Sequence, residues 1–259
     1  MTGKFAAFAF SAFAATAVAF SPKQLAAQRS ADYISQGNAA YEARNAAEAL
    51  RDYDRALALE PRNYEVLWKA ARSGVDLGES ESDATRRAAL FKTAADRARL
   101  AVQLDSADAN GHFMLARALG RTALSLGKRD QVRYAGDVRD QAMQCLKIDP
   151  NHAGCLDVLG MWNAEVMRLN GFTRMMARNF LGGKVFAEAS WPNAKRYLEA
   201  SVTSDPRRII HRLDLAGVYS DMDMKPQARA QLQAVINGEL IDYNDPRYKA
   251  EAATELKRL

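Results

Sequence analysis

Only two cysteines and three histidines occur in 259 residues. Two cysteines alone cannot supply the four ligands of the usual structural metal site. His112, His152 and His211 lie far apart in the chain, and no His-Glu-x-x-His pair is present to hold zinc. No Gly-x-Ser-x-Gly elbow occurs to expose a serine nucleophile. Leu181-Gly182-Gly183-Lys184 falls short of a phosphate loop, because Arg178 replaces its first glycine and Val185 its Ser or Thr. Gly182-Gly183 reads instead as a helix stop. Asp221-Met222-Asp223 sits in an expected turn without the further oxygens a cation needs. The remaining carboxylates are scattered among basic residues, so no pair stands out for acid–base work. These absences predict a protein that is not an enzyme and that carries no cofactor and no metal.

Alternating strand patterns and β-branched runs are also scarce. Apolar residues recur at three and four, which predicts helices. Apolar residues make up 48% and charged residues 26%, the balance of a soluble globular chain. The formal charge is +5, too small a surplus to point to nucleic acid.

The first residues differ from the rest. Lys4 precedes the uncharged run Phe5 to Phe20, and Leu25-Ala26-Ala27 follows soon after. A basic start, a short apolar core and small residues at its end are the layout of a secretory signal peptide. The run is shorter than the roughly 20 residues that span a bilayer. Residues 1–27 are therefore expected to be removed after Ala27, leaving an exported, periplasmic or secreted domain of residues 28–259 without a transmembrane span. Removal takes Lys4 and Lys23 and no acid, so the charge falls from +5 to +3.

The mature part repeats itself. ALALEPRN from Ala56 is echoed by AVQLDSAD from Ala101, CLKIDPNH from Cys145 and SVTSDPRR from Ser201. In residues 30–63, Gly37, Ala49, Tyr53, Ala56 and Pro61 occupy positions 8, 20, 24, 27 and 32 of the unit. That pattern resembles the tetratricopeptide repeat (TPR), a pair of antiparallel helices of about 34 residues. Small residues mark where the two helices cross closely. Further copies cover about 64–108 (Ala71, Ala94, Ala98, Ala101), 109–152 (Ala116, Val138, Ala142, Cys145), 153–208 (Leu159-Gly160, Ala194, Leu198, Ser201) and 209–242 (Leu215-Ala216, Ala228, Leu232, Val235). A polar insert at 78–90 is expected to lengthen a turn, and a second insert falls at 127–137. Residues 245–259 are expected to form a cap, as terminal repeats require. The expected fold is all-α: a TPR-type α-solenoid of about five helix pairs with an enlarged fourth repeat and a C-terminal capping helix.

The enlarged fourth repeat narrows the resemblance. LGMWNAEVMRLNGFTRMMARNFLGG (159–183), WPNAKRYLEASVTSDP (191–206) and RLDLAGVYSDMDMKPQARAQLQAVI (212–236) are similar to the regulator of microtubule dynamics proteins. The resemblance implies a long first helix in that repeat, with Val166, Leu169, Phe172, Met176 and Phe180 on one stripe. Animal members are associated with microtubules, membrane contact sites and, for some, lipid binding. An exported, bacterial relative cannot share the cytoskeletal role.

Stacked helix pairs present a concave face lined by their first helices. By the repeat's pattern this face carries Asn38, Tyr41, Trp68, Arg72, Phe113, Arg117, Arg121, Asp157, Met161 and Glu165, with Leu213 and Asp221 beyond them. The expectation is an interaction scaffold that binds a protein or peptide, its arginines meeting carboxylates; an ordinary solvated face is the alternative. The TPR clamp for a C-terminal carboxylate is absent, since Ile34 and Lys69 stand where it needs Lys and Asn. Two other readings stay open: a lipid or hydrophobic ligand in a cavity shaped by the fourth repeat, and a subunit of an envelope complex using the convex face and the inserts. Cys145 fills a packing position and is read as structural rather than reactive. It pairs with Cys155 across a turn in an oxidising compartment, or both remain free thiols.

Overall fold

The computed structural model describes residues 21–126, 128–169 and 185–259. Within them the chain forms eleven α-helices and one short 3-10 turn, with no strand among the described residues. The pairs are α1 (Pro22–Glu42) with α2 (Ala46–Leu59), α3 (Tyr64–Ser80) with α4 (Ala84–Leu104), and α5 (Ala109–Leu124) with α6 (Lys128–Ile148). They continue with α7 (Ala153–Arg168) and α8 (Trp191–Ser204), then α9 (Ile209–Asp221) and α10 (Lys225–Asn237); α11 (Asp245–Arg258) ends the chain.

Local chemistry sets the helix starts. The Asn45, Asn63 and Asp83 side chains accept the backbone N–H of Glu48, Val66 and Arg86 at 3.1, 3.2 and 2.8 Å, each satisfying a donor the helix itself leaves free. Two intra-repeat turns close through left-handed residues, Arg44 (φ 60°) and Asp223 (φ 56°).

The small residues of the repeat do what their spacing predicts. Ala49, Ala56, Ala98 and Ala101 are fully buried, as is Tyr53 beside the first crossing. A methyl at Gly37 would lie 2.6 Å from the Tyr53 ring, and one at Gly160 would lie 2.5 Å from Leu198 Cγ. The paired helices approach so closely at these points that a side chain on each glycine would displace its neighbour.

Two expectations need correction. The insert at 78–90 does not lengthen a turn; only residues 81–83 separate α3 from α4. It lengthens both helices instead, because Asp83 starts a new helix at once and Phe91 packs where a Gly78 side chain would be. The insert at 127–137 likewise falls mostly in α6, whose Ala135 carbonyl accepts from Trp162 Nε1 at 2.8 Å. The long helix expected in the fourth repeat stops at Arg168, with Leu169 extended (φ −63°, ψ 138°). Phe172, Met176, Phe180 and Gly182-Gly183 lie outside the described residues.

The expected signal segment lies mostly outside them too. Residues 22–29 form the start of α1, almost wholly exposed, and packing against the solenoid begins at Ser30, whose hydroxyl donates to Glu60 at 3.0 Å. No helix among the described residues is long and apolar enough to cross a membrane.

Candidate functional site

The inner face of the solenoid is built from α3, α5, α7 and α9, and α11 closes over it. Tyr41 donates its hydroxyl to Asp76 at 3.0 Å. Arg72 lies 3.4 Å above the Tyr41 ring and 5.2 Å from that of Trp68. Asn38 accepts from Tyr53 (3.0 Å) and Lys69 (2.9 Å). Asn38, Tyr41, Trp68 and Arg72 thus sit together near the N-terminal end, held by one another and by the second repeat.

Arg117 and Arg121, expected to meet a partner's carboxylates, meet this chain's own. Arg117 Nη2 donates to Asp76 Oδ1 at 2.8 Å and to Glu79 Oε1 at 2.9 Å; Arg121 Nε donates to the same Glu79 oxygen at 2.8 Å. The far oxygen of Glu79 accepts from the Tyr248 hydroxyl and, at 3.3 Å, from Asn244, while Asn244 also donates to the Asp76 carbonyl at 2.9 Å. The segment before α11 reaches further, with Leu240 accepting from Arg44 at 2.8 Å. The expected cap therefore also bridges back to the first two repeats.

Burial alone would push the Glu79 carboxyl up, but Arg121, Arg117 and the Tyr248 hydroxyl together hold it at about 2. Burial raises the Asp76 carboxyl in spite of Arg117. Charges this deep in the fold persist only where such partners satisfy them.

Beside the network lies a cavity of about 170 Å³. Phe113, Met161, Trp162, Val166, Leu169 and Phe186 line its apolar side. Asp157, Asp214 and His211 line its polar side, with Arg117, Arg121, Arg208 and Asp242. Met161 and Glu165 follow Asp157 at successive turns of α7, so one helix face runs from acid to apolar to acid; Glu165 is paired with Arg168 at 2.5 Å. Phe113 also packs on His152, ring centroids 4.8 Å apart.

Burial raises Asp157 well above the carboxylate range, and its neighbour Asp214 adds to the shift. Burial raises Asp214 to about 6 although Arg121 opposes it. Burial, then Arg208, lowers His211 to about 4.

Leu213 is buried in the core, away from any partner, and Asp221 accepts from Arg168 at 2.6 and 2.9 Å. Cys145 and Cys155 are joined as a disulfide across the α6–α7 turn, Cα atoms 6.4 Å apart, both fully buried. His152 sits against them and accepts the Cys155 N–H at 3.2 Å. These three residues are close enough to share a metal ion, but thiolates tied in a disulfide cannot ligate one.

Sequence reading missed Asp76, Glu79, His211, Asp214, Asp242 and Tyr248. Asp76 and Glu79 continue the Trp68–Arg72 stripe at helical spacing, but they fall where the second repeat departs from the standard unit. Nothing in the sequence marks that Tyr248 crosses to Glu79.

Against known proteins, residues 29–259 match the family model described as regulator of microtubule dynamics protein 1-3. No curated protein matches the sequence significantly. Among solved structures, the chain is similar to a thermophilic TPR protein of Thermus thermophilus, with TM-score 0.63 and 18% identity over 87% of this chain and 99% of that one. It is also similar to pilF of Pseudomonas aeruginosa, with TM-score 0.48 and 15% identity over 90% and 92%.

Proposed function

The chain belongs to the regulator of microtubule dynamics protein family, and from that premise we propose that it is a non-catalytic binding protein of the cell envelope that takes a segment of a protein partner on its inner face. One observation carries this reading: the inner face keeps an open cavity, apolar on one side and acidic on the other, while its arginines are already paired. Cavities of this make-up are where binding sites sit. Recognition then rests on the cavity rather than on Arg117 and Arg121 as free anion hooks. The envelope location rests on the basic start, apolar run and small residues of 1–27.

The test is affinity purification of the tagged chain from its native envelope, beside Met161→Trp, which fills the cavity. A partner retained by the native chain and lost from the variant, at equal helical content, supports the placement. Equal retention overturns it. Peptide mapping of the same material tests export: an N-terminus at Gln28 is expected, and an intact residue 1 refutes cleavage.

A lipid reading has its own support, because Trp162, Val166, Leu169 and Phe186 form a continuous apolar wall. Native mass spectrometry after gentle isolation should then show a co-purifying lipid, and a clean apo mass removes this reading.

A further inference from the structure

The lining of the cavity is unbalanced in charge in a particular way. Its three arginines all make their ion pairs with carboxylates other than Asp157 and Asp214. Arg117 pairs with Asp76 and Glu79, Arg121 with Glu79, and Arg208 with Asp242 at 3.0 Å. Among the described residues, no ion pair reaches Asp157 or Asp214. Asp157 Oδ1 is buried and has no hydrogen-bond partner.

His211 adds an independent sign. Its side chain is 3% exposed and lines the same cavity, three residues before Asp214 on α9. The ring donates to the Asp205 backbone carbonyl, and Nδ1 is the nitrogen left without a partner. A neutral imidazole that donates through one nitrogen accepts through the other. The cavity therefore holds an orphan carboxylate oxygen and an orphan imidazole lone pair, and both are acceptors. A buried acceptor without a donor is costly, so the missing group is a donor. Asp157 and Asp214 also share a hydrogen bond, and a donor that carries positive charge would favour the ionised form of this pair.

We infer that the cavity receives a basic side chain of the partner, the ammonium of a lysine or the guanidinium of an arginine, with its head among Asp157, Asp214 and His211. The aliphatic stem of such a side chain lies against Phe113, Met161 and Trp162, as long cationic side chains do on apolar surfaces. Charge complementarity selects this occupant over an acidic peptide, which would bring a third carboxyl to the hydrogen-bonded pair Asp157 and Asp214. The inference rests on the reading that the cavity takes a protein segment, and it names the chemistry of the anchor.

Three blocked peptides identical but for a central lysine, norleucine or glutamate provide the probe, titrated calorimetrically into the full chain. The lysine peptide should bind at least about tenfold tighter than the norleucine peptide, a difference of about 1.4 kcal/mol, and the glutamate peptide weakest. Asp157→Asn with Asp214→Asn should erase the preference for lysine while leaving the norleucine peptide unchanged. Equal binding of all three peptides overturns the cationic anchor and leaves the cavity reading intact. Binding of none overturns the anchor as well, and the Met161→Trp capture then judges the cavity reading separately. A lysine preference that survives both substitutions places the anchor elsewhere and refutes the inference.

Discussion

Tyr248 donates its hydroxyl to Glu79, a residue 169 positions earlier in the chain. This bond, with Asn244 to the Asp76 carbonyl, ties the last helix to the second repeat. A solenoid whose units touch only their neighbours would lack such a tie. Removing the Glu79 charge leaves Arg117 and Arg121 buried beside it with fewer partners. Glu79→Gln should therefore cost about 3 kcal/mol in urea unfolding, and Tyr248→Phe about 1 kcal/mol. Their effects should be less than additive, because Glu79→Gln weakens the bond that Tyr248→Phe removes. Full additivity would show that the two ends are energetically independent.

Acid should destabilise the fold in two windows. Burial lowers His211 from 6.5 to about 4, so between those values the unfolded chain binds the proton and the native chain refuses it. Stability is full above about pH 6.5 and falls as pH drops through 4. Glu79, held from 4.5 down to about 2 chiefly by Arg121 and Arg117 against its burial, contributes stability that is full above pH 4.5 and lost toward pH 2. Urea midpoints measured from pH 7 to 2 should show both slopes. His211→Gln should flatten the upper one alone; an unchanged upper slope assigns it to other groups.

Reduction offers a separate handle. The disulfide closes the α6–α7 turn across ten residues, a short loop for which cross-linking contributes roughly 2 kcal/mol. Intact mass should rise by about two hydrogens on treatment with reductant under denaturing conditions. The reduced chain should unfold at lower urea concentration. Two thiols alkylated without reductant would show that the bond does not form.

How much of this was legible can be judged residue by residue. Gly37, Tyr53, Gly160 and Leu198 were readable, because close helix crossing demands small residues at fixed spacing and the chain supplies them. Gly160→Ala should cost about 1–3 kcal/mol by overpacking, and Leu198→Ala should cost less in that variant than in the native chain; an equal cost in both would mean that the Ala194 carbonyl, 3.2 Å away, is the true obstacle. The inserts were visible, but not that they would continue as helix, since a polar stretch reads alike as loop or solvated helix and the glycines at 78, 127 and 136 favour the loop reading. Of the expected concave residues, Arg117 and Arg121 proved to be engaged within the chain. Their partners Asp76 and Glu79 lie beyond the standard repeat positions, and Tyr248 arrives by long-range packing that no local pattern encodes.

Asp214 separates a structural role from a binding role. Burial raises its carboxyl from 3.8 to about 6 against the pull of Arg121. The native chain therefore keeps a proton that the unfolded chain releases between those values. Stability drawn from this group is full below pH 3.8 and lost as pH rises through 6, so at pH 7 the ionised group is a net burden. Asp214→Asn should then stabilise the unliganded protein at pH 7 by about 1–2 kcal/mol, and the gain should vanish near pH 4. An acid retained at the expense of stability is expected where a ligand supplies the missing counter-charge. A loss of stability at pH 7 would instead mark Asp214 as a structural partner of Arg121.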